Sequence, residues 1–249
     1  MAKNKERIDK ILVDRGLAQS RERARALVMA GHVVVGDHVA EKPGQLAPLD
    51  AEVRLKGEVL PYVSRGGLKL AKALDEFRID VSGLVAIDVG ASTGGFTDCL
   101  LQRGARKVLA VDVGYGQLAW KLRMDERVVN LEKTNIRYLA PESLADVPDL
   151  AVIDASFISL AKVLPSVVTL VRPGGSIVAL IKPQFEVGRG QVGKGGVVRD
   201  TAKHLEVIEA IKLLAESLNL NVGGVTESPV LGPKGNREFL ILLEKSVNP

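Results

Sequence analysis

The chain has a single cysteine, Cys99, and only three histidines, His32, His38 and His204, scattered along 249 residues. One thiol excludes an intramolecular disulfide, and no Cys/His cluster has zinc-ligand spacing, so no structural metal is expected. Long hydrophobic runs are also missing, since none approaches the ~18 residues of a membrane-spanning helix. The opening stretch MAKNKERIDK is charged where a signal peptide would be apolar, which makes the cytoplasm the expected location. Aromatic residues make up only 4% of the chain, yet 46% of it is hydrophobic. A chain of this length then buries a proper core, as one large domain or two unequal ones.

The net charge of +4 is unevenly placed: residues 1–25 carry eight Lys/Arg against four Asp/Glu, leaving 26 against 26 in the remainder. Such a basic edge attracts phosphates, although charged helices are often no more than solvated faces. Ile8, Ile11 and Leu12 have helical spacing and are followed by Gly16, a good stop. Ser20 then stands as N-cap of RERARALVMA, with Ala24, Leu27 and Val28 on one face and Arg21 and Arg25 on another. HVVVGDHVA carries a hairpin signal at Gly36-Asp37, and LDAEVRL reads as a further strand.

The pattern over residues 7–53, R-I-D-x-x-L followed by G-L-A-x-S-R-x-x-A-x-x-L-V-x-x-G-x-V-x-V and then Lys42 and Asp50, resembles the S4 RNA-binding domain. The resemblance implies a compact module that clasps structured RNA, with Arg7, Arg21, Arg23 and Arg25 as phosphate contacts. This unit is expected to span residues 1–57, with a Pro/Gly-marked linker at 58–65 and a second domain over 66–249.

From Lys69 onward strands alternate with helices: LVAIDVG, KVLAVDVG, DLAVIDAS and SIVALIKPQ read as strands, separated by helical stretches such as LKLAKALDEF and FTDCLLQRG. That order implies a parallel sheet covered on both faces. The chain ends differently, with NLNVGGVTES and REFLILLEK joined without a helix, so the last strand runs antiparallel to the others.

Between the first of these strands and its helix lies AIDVGASTGGFTD, a glycine turn that aims backbone N–H groups at a ligand. A dinucleotide fingerprint needs glycine at 92, where this chain has Ser92. The turn therefore suits a nucleoside ligand without a pyrophosphate, with S-adenosylmethionine as leading candidate. Asp88, Gly90, Ser92, Thr93, Gly94, Gly95 and Phe96 would hold it, Asp112 would accept the ribose hydroxyls, and Asn135 would contact adenine. At such turns Asp and Gly also serve tight geometry alone. GRGQVGKGG, residues 188–196, imitates a P-loop but has Gly195 where Ser or Thr must hold magnesium, and reads instead as a loop or lid.

Ligands of open α/β sheets sit beyond the carboxyl ends of the parallel strands. Asp154 and Lys182 end two of these strands, Glu238 begins the antiparallel one and so reaches the same rim, and Lys69 opens the helix before the first. Two lysines and two carboxylates beside a methyl donor suit activation of an alcohol, although each also has a reading as a surface ion pair.

The stretches SRGGLKL, DVGASTGGFTD, DASFISL, IKPQFE with GKGGV, and GNREFLILL, preceded by the S4-like unit, resemble the TlyA family of ribosomal RNA 2′-O-methyltransferases. The resemblance covers nearly the whole chain. It implies a Rossmann-like seven-stranded methyltransferase sheet with an antiparallel last strand, S-adenosylmethionine as donor, and cytidine ribose in ribosomal RNA or ribosomal subunits as acceptor. It also implies a tetrad of Lys69, Asp154, Lys182 and Glu238, with Lys182 as base and Lys69 steering the ribose or phosphate; Arg65 of SRGG joins the RNA contacts. The linker GEVLPYV departs from the motif of the family's longer members. Three other readings compete. A membrane-active haemolysin, a label the family carries, is disfavoured because nothing spans a bilayer or forms a strongly amphipathic basic helix beyond the S4-like unit. A dinucleotide oxidoreductase is disfavoured by Ser92. A non-catalytic, RNA-binding ribosome assembly factor has no need of four such residues at one rim.

Overall fold

The computed structural model describes residues 5–36, 38–56, 60–188, 190–193 and 195–247. The chain divides into two compact units, Met1–Leu60 and Pro61–Pro249. The domain end expected at Gly57, residues 58 and 59 of the expected linker, and Asp37 of the hairpin turn lie outside the described residues.

In the first unit, strand β1 (Lys5–Arg7) leads into helix α1 (Ile8–Asp14), and helix α2 (Arg21–Met29) follows. Ser20 Oγ accepts from the Arg23 amide at 3.1 Å, an N-cap of the kind that contributes about 1 kcal/mol. Strands β2 (Val33–Val35) and β3 (His38–Val39) form the expected hairpin, β4 (Leu46–Pro48) pairs with β1, and β5 (Val53–Leu55) pairs with β2. Ile8, Ile11, Leu12, Ala24, Leu27, Val28 and Val33 close one small core.

Residues 61–65 sit with the second unit: Tyr62 and Val63 pack on its core, and the Val63 amide donates to Asp98 Oδ2 at 2.8 Å. Helix α3 (Gly66–Glu76) precedes strand β6 (Val85–Val89), helix α4 (Gly95–Gln102), strand β7 (Lys107–Val111), helix α5 (Trp120–Arg123) and strand β8 (Val128–Leu131). Strand β9 (Leu150–Ile153), helix α6 (Leu164–Leu170), strand β10 (Ser176–Ile181), helix α7 (Pro183–Glu186), helix α8 (Thr201–Ser217) and strands β11 (Leu220–Glu227) and β12 (Phe239–Lys245) complete it.

The seven strands are ordered β11-β12-β10-β9-β6-β7-β8. Strands β6 to β10 run parallel, and β12 lies antiparallel between β10 and β11, with Phe239 opposite Ile181. The first residues of β12 thus stand at the rim where β10 ends. Six of these strands carry the apolar patterns noted in the sequence; β8 is a half-exposed edge strand without a fully apolar run, so no such pattern marks it. Side chains alternate across β6: Ile87 and Val89 join the core under α6 and α8, while Ala86 joins the core under α3 and α4. Asp88 falls on the α4 side by the same alternation, buried below the start of that helix.

Candidate active site

The glycine turn after β6 is shaped by contacts that a side chain would block. Gly90 has φ +85°, and a Cβ there would lie 2.9 Å from the Asp154 carbonyl oxygen, so the turn can meet the end of β9 only as glycine. Ser92 also takes a left-handed conformation, φ +49°, and Gly94 at φ +91° caps α4. From that helix Thr97 donates through both its amide (2.9 Å) and its hydroxyl (2.6 Å) to Asp88 Oδ2. Oδ1 of the same carboxylate is buried and meets no donor among the described residues. Burial pushes the Asp88 carboxyl up to about 7, against the Thr97 hydrogen bond that pulls it down.

Asp112, just past β7, accepts from the Ser92 amide at 2.8 Å and the Gly114 amide at 2.6 Å. It lines a small cavity of about 10 Å³ with Ser92, Gln117, Asn130 and Glu132, room for roughly one water. Asn135 lines neither this cavity nor the larger cleft. Its Oδ1 caps a 3-10 turn by accepting from the Arg137 amide at 3.1 Å, whereas Asn130 and Glu132 line the small cavity with Asp112.

The larger cleft, about 400 Å³, runs along the strand ends. Of the residues singled out from the sequence, Arg65, Lys69, Asp88, Gly90, Ser92, Thr93, Gly95, Phe96, Asp154, Lys182 and Glu238 all line it. Lys69 Nζ donates to Glu238 Oε2 at 2.6 Å, and the carboxylate is fully buried. Gln184 Nε2 reaches Glu238 Oε1 at 3.3 Å. Gly232 permits this arrangement, since a Cβ there would fall 2.1 Å from Glu238 Oε1. Lys182 Nζ lies 2.6 Å from Asp154 Oδ1 as an ion pair outside hydrogen-bond alignment. Its aligned partners are Ser156 Oγ at 2.8 Å and the Asp154 carbonyl at 3.4 Å. The tetrad is thus two lysine–carboxylate pairs facing one cavity. Ser64, Ser156, Leu231, Gly232 and Pro233 also line the cleft; no periodic pattern marks them, because they come from loops and, for Pro233, the start of a single 3-10 turn.

Arg189 and Lys194 of the glycine-rich segment lie outside the described residues, and the described remainder of 188–196 lines neither cavity. In the N-terminal unit Arg7 donates to Asp9 at 3.0 and 2.8 Å, and Arg21 reaches the same buried carboxylate at 3.4 Å. Arg25 is exposed one turn along from Arg21. Arg23 does not share their face: it is half-buried, and its guanidinium donates to the Leu60 carbonyl at 3.0 Å.

Residues 62–245 match the FtsJ-like methyltransferase model and residues 6–53 the S4 domain model. The chain therefore belongs to the FtsJ-like methyltransferase family. Within it, the chain is 49% identical over 238 residues to TlyA of Mycobacterium tuberculosis, a protein named as a 16S/23S rRNA (cytidine-2′-O)-methyltransferase, covering 95% of this chain and 89% of that one. A solved structure of a candidate hemolysin from Streptococcus thermophilus is 48% identical, with a TM-score of 0.77, and the match covers 100% of this chain and 91% of that chain. The fold alone extends to a candidate S-adenosylmethionine dependent methyltransferase from Listeria monocytogenes, at 17% identity and a TM-score of 0.52 over 72% of this chain and 100% of that chain. No helix among the described residues is long and apolar enough to cross a membrane.

Proposed function

We propose that this protein transfers a methyl group from S-adenosylmethionine to the 2′-hydroxyl of cytidine in ribosomal RNA, acting in the cytoplasm. The observation that carries this reading is the convergence of Lys69, Asp154, Lys182 and Glu238 on one cleft beside the glycine turn. The donor fits the residues present. Asp88 Oδ1, buried without a donor of its own, suits the ammonium of the amino-acid tail, and the wall from Gly90 to Phe96 is free of bulky side chains up to Phe96 itself. Asp112, with Asn130 and Glu132 beside it, suits the nucleoside end. When bound, S-adenosylmethionine supplies an electrophilic methyl on a sulfonium.

A ribose hydroxyl is a poor nucleophile at neutral pH, so its proton must leave as it attacks. The neutral amine of Lys182 takes that proton, and the ammonium so formed pairs with Asp154, whose carboxylate and carbonyl orient it. Lys69, pinned by Glu238, presents a positive charge to the incoming ribose or phosphate. Arg65, exposed at the mouth of the cleft, and Arg7, Arg21 and Arg25 of the N-terminal unit hold the RNA backbone.

The test is transfer from labelled S-adenosylmethionine to unmodified small and large ribosomal subunits separately, followed by nucleoside analysis. Label in 2′-O-methylcytidine is expected. Label in a base, or donor binding without transfer to either subunit, would overturn the reading, the second outcome favouring a non-catalytic assembly factor.

A further inference from the structure

The stretch DASFISL contributes one residue to the tetrad, Asp154, yet its next polar side chain is the better-aligned partner of Lys182. Ser156 Oγ accepts from Lys182 Nζ at 2.8 Å, while the Asp154 carbonyl stands at 3.4 Å and the Asp154 carboxylate lies out of line. Ser156 is exposed toward the cleft that it lines, whereas Lys182 is buried. The pair is built rather than incidental. Phe157, at φ +63°, turns the chain sharply just after Ser156, and its ring packs 5.2 Å from that of Phe185. Glu186, four residues beyond Lys182, then accepts from Ser159 Oγ at 2.6 Å and from the Leu160 amide at 2.9 Å. The loop that carries Ser156 and the segment that carries Lys182 are therefore fastened to each other.

We propose that Ser156 is a positioning residue for methyl transfer, holding the Lys182 amine on line with the reacting hydroxyl. The inference rests on the function proposed above. Its chemistry follows from the donor and acceptor inventory: both Asp154 oxygens can only accept, so they hold Lys182 only through its N–H groups. A neutral amine still carries two N–H groups, so Ser156 Oγ accepts from Nζ in both protonation states and leaves the lone pair of the neutral amine open to the ribose proton. At 2.8 Å it is the shorter of the two aligned hydrogen bonds that fix where Nζ stands.

The experiment measures single-turnover transfer to unmodified ribosomal subunits by wild type, Ser156→Ala, Ser156→Thr and Lys182→Ala, with donor and RNA affinities and melting temperature on the same preparations. Ser156→Ala is expected to lower the saturating rate by about tenfold to a hundredfold with both affinities and the melting temperature unchanged. Ser156→Thr, which keeps the hydroxyl, is expected to restore most of that rate. A Ser156→Ala rate close to that of the wild type, or a threonine variant as slow as the alanine one, would overturn the role of Ser156 and leave the proposed reaction standing. A wild type without transfer would overturn the reaction itself, whereas a fully active Lys182→Ala would remove Lys182, and with it the positioning role of Ser156, from a reaction that still stands.

Discussion

Asp88→Asn removes a charge that the fold shelters poorly. Asparagine can still present an oxygen to the two Thr97 donors, and its amide falls where Oδ1 meets no donor. Burial lifts the native carboxyl from its ordinary 3.8 to about 7, so between those values the folded chain binds a proton that the unfolded chain releases. The stability contributed by this group is complete below its unfolded value and is lost as the pH rises through about 7. At about 1.4 kcal/mol for each pH unit the upper bound is about 4 kcal/mol. A buried amide without an acceptor returns about 1–3 kcal/mol of that. In urea unfolding of donor-free protein, the variant is therefore expected to exceed wild type by about 1–3 kcal/mol near pH 8, with the gap closing toward pH 5. Titration calorimetry should show donor affinity down about tenfold or more, since a charge-assisted hydrogen bond is lost. Stability curves for the two proteins that run parallel between pH 5 and 8 would refute the burial argument.

Two further predictions concern ion pairs in different settings. Glu238→Gln leaves the Lys69 charge buried without its 2.6 Å partner, and is expected to cost about 3 kcal/mol, whereas Lys69→Met/Glu238→Gln recovers much of that loss; additive losses in urea unfolding would contradict the coupling. In the N-terminal unit, Arg7→Ala, Arg21→Ala and Arg25→Ala should each lower RNA affinity and reduce the salt slope by about one, measured by filter binding at several salt concentrations. Arg23→Ala is expected to lower the slope less than the other three, because that half-buried guanidinium faces the Leu60 carbonyl.

The sequence displayed the parts of this protein that follow from burial and from local chemistry. VAIDV, SIVALI and FLILL are continuous apolar runs apart from Asp88 and the opening Ser176, as strands covered on both faces must be, and Ser20 caps α2 through a bond only three residues long. The position of Glu238 followed from topology, since a strand that runs backwards begins where its neighbours end. Pairing across the rim was less visible: Lys69 and Glu238 are 169 residues apart, and no spacing rule joins them. Periodicity gives direction around a helix but not the Leu60 carbonyl that the Arg23 guanidinium meets. Nor does the sequence show that the Asn135 side chain satisfies the backbone of its own turn, a competition common for asparagine. Ser156 was hidden for the same reason as the other loop residues of the cleft, whose neighbours are set by tertiary structure alone.

The most direct test of the tetrad compares wild type with Lys182→Ala on unmodified ribosomal subunits, using labelled S-adenosylmethionine and measuring donor and RNA binding on the same preparations. The expected result is 2′-O-methylcytidine from the wild type, none from the variant, and binding unchanged in both. Turnover retained by Lys182→Ala would contradict the account and remove Lys182 from the chemistry.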